Sequence, residues 1–403
     1  MYAGPMAPRE HPGTVREVLL VALRLGLTSF GGPVAHIGYF RRAYVEQRGW
    51  LDEAAFADLV ALSQLLPGPA STQLGIAIGT RRAGLAGGIA AGAGFIAPSA
   101  VAMVVLGLVA AGTDLSGAGW VHGLKLAAVA VVAQAVIVMA GRLAPDARRR
   151  AITAAAAIAT LLIATPLAQV GIIAAGAIAG RLWLPAPTEP APTGATATVD
   201  RRVGAIALGT FVALLVALPL LRATGSHALA VVDSFYRSGA LVFGGGHVVL
   251  PLLHANVVDP GWVSNDAFLA GYGAAQAVPG PLFTFAGYLG AVSTVPPDGV
   301  PGGVLALGAI FLPSFLLVFG ALSVWDAVRA AGSVRRALSG TNAAVVGILL
   351  AALYTPVTTG AITGPADALV AIAGLGLLLT GRVPPIAVVA LAALVGQAGI
   401  GAA

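Results

Sequence analysis

The chain has 403 residues, of which 58% are hydrophobic and only 9% charged, and its mean hydropathy is +0.92. A soluble domain carries about 25% charged residues, so this is an all-α polytopic membrane protein. The formal net charge of +6 comes with arginines at the ends of apolar runs, where they set topology, and gives no sign of nucleic-acid binding. There is no cysteine, hence no disulfide, thiolate metal site or cysteine nucleophile, and the six histidines show no ligand spacing such as H-E-x-x-H. No metal or other cofactor is expected.

Apolar spans are predicted at 15–31, 84–112, 118–141, 149–165, 167–184, 203–222, 227–245, 301–327, 334–356, 362–381 and 384–401. The first contains Arg24 and lacks an A-x-A cleavage site, so it reads as a span rather than a signal peptide. After it comes "SFGGP" at 29–33, then "YFRRAYVEQRGW", whose Arg41, Arg42, Glu46 and Arg48 suit an interfacial amphipathic segment. "SQLLPGPAST" follows at 63–72. Proline and glycine here interrupt a membrane helix.

Both interruptions recur. "AQAVPGPLFT" at 275–284 repeats the second at an offset of 212, matching Trp50 to Trp262, Phe56 to Phe268, Gln64 to Gln276 and Thr72 to Thr284. "VFGGG" at 242–246 repeats "SFGGP" at an offset of 213, with Gly26 on Gly239 and Arg24 on Arg237. Downstream, the Pro-Ser of "FIAPS" (95–99) meets that of "FLPS" (311–314). The chain therefore reads as a first repeat at 1–184, a Pro/Ala/Thr-rich linker at 185–202, and a second repeat at 203–403 with an additional leading span, 203–222.

Arginines orient the repeats. "RLAPDARRR" (142–150) is basic and its counterpart "VTTGAITGP" (357–365) is uncharged, whereas "TDLSGAGWV" (113–121) lacks arginine and its counterpart "VRAAGSVRR" (328–336) has three. Positive loops stay cytoplasmic, so equivalent loops lie on opposite sides and the repeats are inverted. If 32–83 and 246–300 each cross once, there are about 13 crossings, with the N-terminus cytoplasmic and the C-terminus outside. Arg41, Arg42, Arg48 and Arg222 fit this topology less well.

Non-helical backbone at membrane depth must line a cavity or be buried in protein. Inverted repeats with broken helices build secondary transporters around a midplane site. The breaks are Gly31-Gly32-Pro33 and Pro67-Gly68-Pro69, matched by Gly244-Gly245-Gly246 and Pro279-Gly280-Pro281. Pro33 and Pro69 suit the start of half-helices, whose free amides bind anions. Ser71, Thr72 and Thr284 would add hydroxyls, and Gln64 and Gln276 amide hydrogens. Arg24, mid-span, costs about 2.5–3.5 kcal/mol on insertion scales and calls for a partner or a cavity. Its guanidinium suits an oxyanion. Arg237 has Asp233 four residues earlier as a local ion-pair partner, so contact with substrate and contact with Asp233 alone both stay open. Asp58 is a candidate proton carrier. His36, His247 and His254 read as packing or interfacial residues.

These motifs, "LTSFGGPVAHIGYFRRAYVEQRGWLDEAAFADLVALSQLLPGP", "SGALVFGGGHVVLPLL" and "GYGAAQAVPGPLFTFAGYLG", resemble the chromate transporter (CHR) family of prokaryotic membrane proteins in its long two-domain form. The resemblance implies chromate efflux driven by the proton-motive force, giving chromate resistance, and a functional basic residue in the first span, which falls on Arg24. The second "FGGGHVVLPLL" departs from the first "FGGPVAHIGYF", so the two half-sites need not be equivalent.

The reading is a secondary active transporter of a tetrahedral oxyanion, chromate above all, in the prokaryotic plasma (inner) membrane. Its partners are that anion and the lipid bilayer, with a homodimer left open. A sulfate transporter and an anion channel remain alternatives. A hydrolase finds no support, since there is no nucleophile elbow, zincin motif or Walker loop.

Overall fold

The computed structural model describes residues 13–112, 118–163, 166–185, 199–243 and 246–399, which form helices and turns and, among the described residues, no strand. Helices satisfy their own backbone amides, which a bilayer interior demands. In chain order they are α1 (Val15–Thr28), α2 (Gly32–Phe40), α3 (Glu53–Leu65), α4 (Ala70–Ala111), α5 (Gly119–Leu143), α6 (Ala147–Leu162), α7 (Pro166–Trp183), α8 (Arg201–Arg222), α9 (His227–Ala240), α10 (Val249–Val257), α11 (Asn265–Ala275), α12 (Phe285–Val292), α13 (Gly299–Ala330), α14 (Gly332–Ala352), the single turn α15 (Thr359–Ala361), α16 (Pro365–Leu379) and α17 (Pro385–Gln397). A helix occupies each of the eleven expected apolar spans. Among the described residues, five stretches are long and apolar enough to cross a membrane: Ala70–Ala111, Gly119–Leu143, Arg201–Arg222, Gly299–Trp325 and Gly332–Ala361.

The interfacial segment takes a π-helical form, Arg41–Glu46, with Arg41 paired to both Glu46 and Glu53. In the basic loop, Asp146 caps α6 by accepting the Arg149 amide. That hydrogen bond holds its carboxyl below the usual carboxylate range.

A straight helix of α4's 42 residues would be about 63 Å long, twice the hydrocarbon thickness. It changes direction at Ala83 and Gly84, whose dihedrals are not helical, with φ +64° at Gly84. A short arm therefore runs from the Pro-Gly-Pro break to Arg82, and a long arm begins where the sequence places its span at 84. The arms pack back to back. A Cβ on Gly79 would lie 2.5 Å from the Gly87 carbonyl oxygen.

Packing knits the first half of the chain to the second. α14 lies on α5, α6 and α7; α5 also meets α11, α16 and α17; α4 meets α12 and α13. The largest buried cluster joins Met103, Leu126 and Val132 to Phe268, Tyr272, Phe285 and Leu349. α8, by contrast, packs on α9 and α13 and leaves Ile206, Val212, Val216 and Leu220 exposed, as a lipid-facing helix does. Helices in a bilayer associate through small residues that let backbones approach. α7 and α14 do so at Gly340, where a Cβ would sit 2.1 Å from the Gly176 carbonyl oxygen.

Gly340→Ala should therefore force the α7–α14 backbones apart and destabilise the protein by about 1–3 kcal/mol, the usual range for overpacking. A thermal melt in detergent is the measurement; an unchanged midpoint would contradict this packing.

Candidate functional site

Four interruptions of the chain meet at one place. Gly31, with φ +93°, starts α2 without a side-chain cap, and Pro33 lies in its first turn. Pro67-Gly68-Pro69 separates α3 from α4, and Pro69 is the residue that starts α4. Pro279-Gly280-Pro281 separates α11 from a 3-10 turn, Leu282–Thr284, that runs into α12. Gly244 and Gly245 lie outside the described residues. Gly246 begins the 3-10 turn Gly246–Val248 that leads into α10.

Hydrogen bonds cross between these interruptions. The Gly68 amide donates to the Val242 carbonyl at 2.6 Å, and the Gly280 amide to the Ser29 carbonyl at 2.9 Å. Ser29 and Val242 are equivalent at the offset of 213, and Gly68 and Gly280 at 212. Each Pro-Gly-Pro turn thus seats in the other half of the chain. Beneath Gly68 lie the Ser314 hydroxyl and the Gly239 carbonyl, 3.0 and 3.5 Å from where a Cβ would stand; beneath Gly280 lie their counterparts, the Ser99 hydroxyl and the Gly26 carbonyl, at 2.8 and 3.6 Å. The expectation that Gly68 and Gly280 offer amides to an anion is corrected here, because both amides are committed to protein carbonyls.

Beside these junctions lies a cavity of about 90 Å³. A water needs roughly 10–15 Å³ on this measure, so the space holds several waters or one small polyatomic ion. Each of the four starts contributes to its wall: Gly31 and Gly32 at α2, Pro69 and Ser71 at α4, Gly246 and His247 ahead of α10, and Pro281, Leu282 and Phe283 ahead of α12. First-turn amides have no partner within their helix and carry the positive end of its dipole. Gln276, His36 and Gln134 of α5 add polar side chains, and Nε2 of Gln276 is buried with no protein acceptor. Among the described residues, no Arg, Lys, Asp or Glu lines the cavity.

The other expected residues are placed elsewhere. Gln64, the counterpart of Gln276, is exposed. Thr72 is buried beside Ser71 with its hydroxyl unpartnered, but does not line the cavity, and the Thr284 hydroxyl donates to the Pro281 carbonyl. Arg24 is exposed, on the face of α1 that also shows Leu20 and Leu27, and is absent from the wall. The buried face of α1 is instead Val18, Val21, Ala22, Leu25 and Gly26. Arg237 pairs with buried Asp233, which Arg222 of α8 also approaches at 3.5 Å. The local ion pair is what the structure contains. Asp58 is fully buried on α3 and also away from the wall.

His36 and His247 pack as the sequence reading has it, His36 edge-on against Phe95 and His247 against Tyr272, and they also line the cavity, which that reading did not foresee. They do not align in the repeat, yet both line the cavity. His36 Nε2 donates to the Ser29 carbonyl at 3.1 Å, and His247 Nδ1 lies 2.6 Å from the Tyr272 hydroxyl. The available signal was position: each follows a glycine-rich break within four residues.

The elements and the cavity together define a helical membrane-type protein with interrupted helices beside a shared cavity. The chromate transporter family model matches residues 16–181 and 229–397, and the chain belongs to that family. It is 29% identical over 316 residues to the probable chromate transport protein of Synechococcus elongatus, covering 76% of each chain. It is 27% identical over 384 residues to the chromate transport protein of Cupriavidus metallidurans, covering 91% of this chain and 88% of that one, and 29% identical over 348 residues to that of Pseudomonas aeruginosa, covering 81% and 77%. No solved structure matches the chain.

Gly68 and Gly280 have φ of +117° and +99°, where a side chain is strained. Gly68→Ala and Gly280→Ala should each cost on the order of 1–3 kcal/mol and loosen a junction. Both should lower the thermal midpoint, and a wild-type melt from either would show that its turn tolerates a Cβ.

Proposed function

We infer that this protein is a secondary active transporter of a tetrahedral oxyanion, chromate, which it exports across the prokaryotic plasma membrane. The observation that carries the reading is the convergence of four helix starts on one cavity that, among the described residues, no carboxylate lines. Such a site attracts an anion through backbone amides and dipoles. The family and the names of its relatives point to chromate as that anion.

A dianion that enters must shed water. First-turn amides of α2 and α4 and of the turns before α10 and α12, with the Ser71 hydroxyl and the Gln276 amide, replace that shell. Arg24 acts ahead of the cavity, on the exposed face of α1, and draws the anion toward the break that follows it. Sulfate, also tetrahedral and doubly charged, meets the same donors.

Transport proceeds by alternating access between two inverted repeats, 1–184 and 203–403, joined by 185–202, with 203–222 as the added span. The N-terminus is cytoplasmic, the C-terminus outside, and the crossings number about 13. The asymmetry of arginine between equivalent loops supports inversion. The reciprocal seating of the Pro-Gly-Pro turns supports a two-fold relation with the junctions as pivots. Gln64 stands in the open while its counterpart Gln276 faces the cavity, a difference that a conformation open to one side produces.

Purified protein in liposomes should accumulate labelled chromate against its concentration when a driving ion gradient is imposed. Absence of any chromate or sulfate flux would refute the reading, and flux only down the anion's own gradient would make the protein a channel. Gln276→Ala should weaken the apparent affinity roughly tenfold or more, as loss of a hydrogen bond to a charged group does. Arg24→Ala should slow entry with normal expression; unchanged flux would remove Arg24 from the mechanism.

A further inference from the structure

A cavity that takes a dianion is expected to carry compensating charge, yet among the described residues neither Arg nor Lys lines this one. The titratable side chains in its wall are His36 and His247. They differ in how they are held. His247 is tied through Nδ1 to the Tyr272 hydroxyl. His36 gives its Nε2 hydrogen to a carbonyl, which can only accept, so the neutral ring carries its lone pair on Nδ1. That nitrogen is buried and has no protein partner. The ring is itself 1% exposed and packs edge-on against Phe95 at 5.5 Å.

His36 also touches a junction. The Ser29 carbonyl that accepts from its Nε2 is the one that accepts the Gly280 amide. One oxygen therefore gathers the imidazole, the first break and the Pro-Gly-Pro turn of the second half. The equivalent junction, Gly68 to Val242, has no such ring: the residue in register with His36 at the offset of 213 is Val249.

We propose that His36 is the proton-binding residue of the oxyanion cavity, taking one proton onto Nδ1 as a dianion enters and presenting its charge to both the anion and the Ser29–Gly280 junction. The proposal rests on the oxyanion reading of the cavity. A buried charge is costly without a partner, and an entering dianion is that partner. Protonated His36 donates from both nitrogens, to the anion through Nδ1 and to Ser29 through Nε2, and a charged donor strengthens each bond. The groups that face the exchange are His247 with Tyr272 from the second half, Ser71 and Gln276, and among the described residues no wall residue carries a carboxylate that would compete for the proton. Proton and anion then occupy the site together, by reciprocal linkage, and the junction that senses them is the one built with a histidine.

The test is calorimetric titration of the full-length purified protein with sulfate, which itself takes up no proton near neutral pH, in buffers of different ionisation enthalpy. The wild type should take up close to one proton per sulfate bound at pH 7.5, and its affinity should fall about tenfold per pH unit as the solution is made more alkaline, the slope of one linked proton. His36→Gln, which keeps a donor for Ser29, should bind sulfate more weakly with proton uptake near zero. His247→Gln should keep the uptake. Sulfate binding in the wild type with no proton uptake and no pH slope overturns the His36 proposal and leaves the cavity reading standing, whether or not any variant folds. Uptake that persists in His36→Gln and vanishes in His247→Gln overturns it as well. Failure of the folded wild type to bind either sulfate or chromate overturns the cavity reading and, with it, the proposal.

Discussion

Two crossed hydrogen bonds organise this molecule. A chain interrupted at membrane depth leaves backbone groups that water cannot satisfy. Here each Pro-Gly-Pro turn donates its glycine amide to a carbonyl at the break of the opposite half, Gly68 to Val242 and Gly280 to Ser29. The turns need glycine because the dihedrals are left-handed and because Ser314 and Ser99 close in beneath. With those amides and carbonyls paired, the chain can stop its helices beside a cavity without leaving the stops unsupported. The helix starts that follow remain free to face inward.

At rest the cavity is walled by helix starts and neutral side chains, with no Arg, Lys, Asp or Glu among the described residues. Backbone donors at a helix start are fixed in direction and need no counter-charge of their own. In the proposed function, a wall built from them and from neutral side chains such as Ser71 and Gln276 exchanges donors with a hydrated anion. An arginine in that wall would offer stronger but less reversible binding. The arginines that looked most informative stand apart, Arg24 on an exposed face and Arg237 against Asp233.

Much of the fold was legible in the sequence because hydropathy and helix-breaking residues are local signals. Every apolar span became a helix, the start of the span at 84 fell on the bend at Ala83 and Gly84, and the repeat paired the residues that later proved to seat in one another's halves. The direction of individual groups was not legible. Nothing local says that the Gly68 amide points to Val242, since its partner lies 174 positions away. Gln64 and Gln276 match in register yet face different surroundings. His36 and His247 were missed because a repeat alignment rewards equivalence, and these two meet at one cavity from positions that are not equivalent.

The reciprocal junctions also impose an order in time. Synthesis adds roughly 5–20 residues per second, and about 250 residues separate Ser29 from Gly280, so on the order of 10–50 s pass before the first break can meet its final donor. Gly68 waits similarly for Val242. During that interval the emerging half holds an unfinished break in or near the membrane. Ser29 has a nearby substitute, since His36, which donates to the same oxygen in the folded protein, lies only seven residues away. The His36–Ser29 contact, which spans seven residues, can therefore form while the rest of the chain is still on the ribosome.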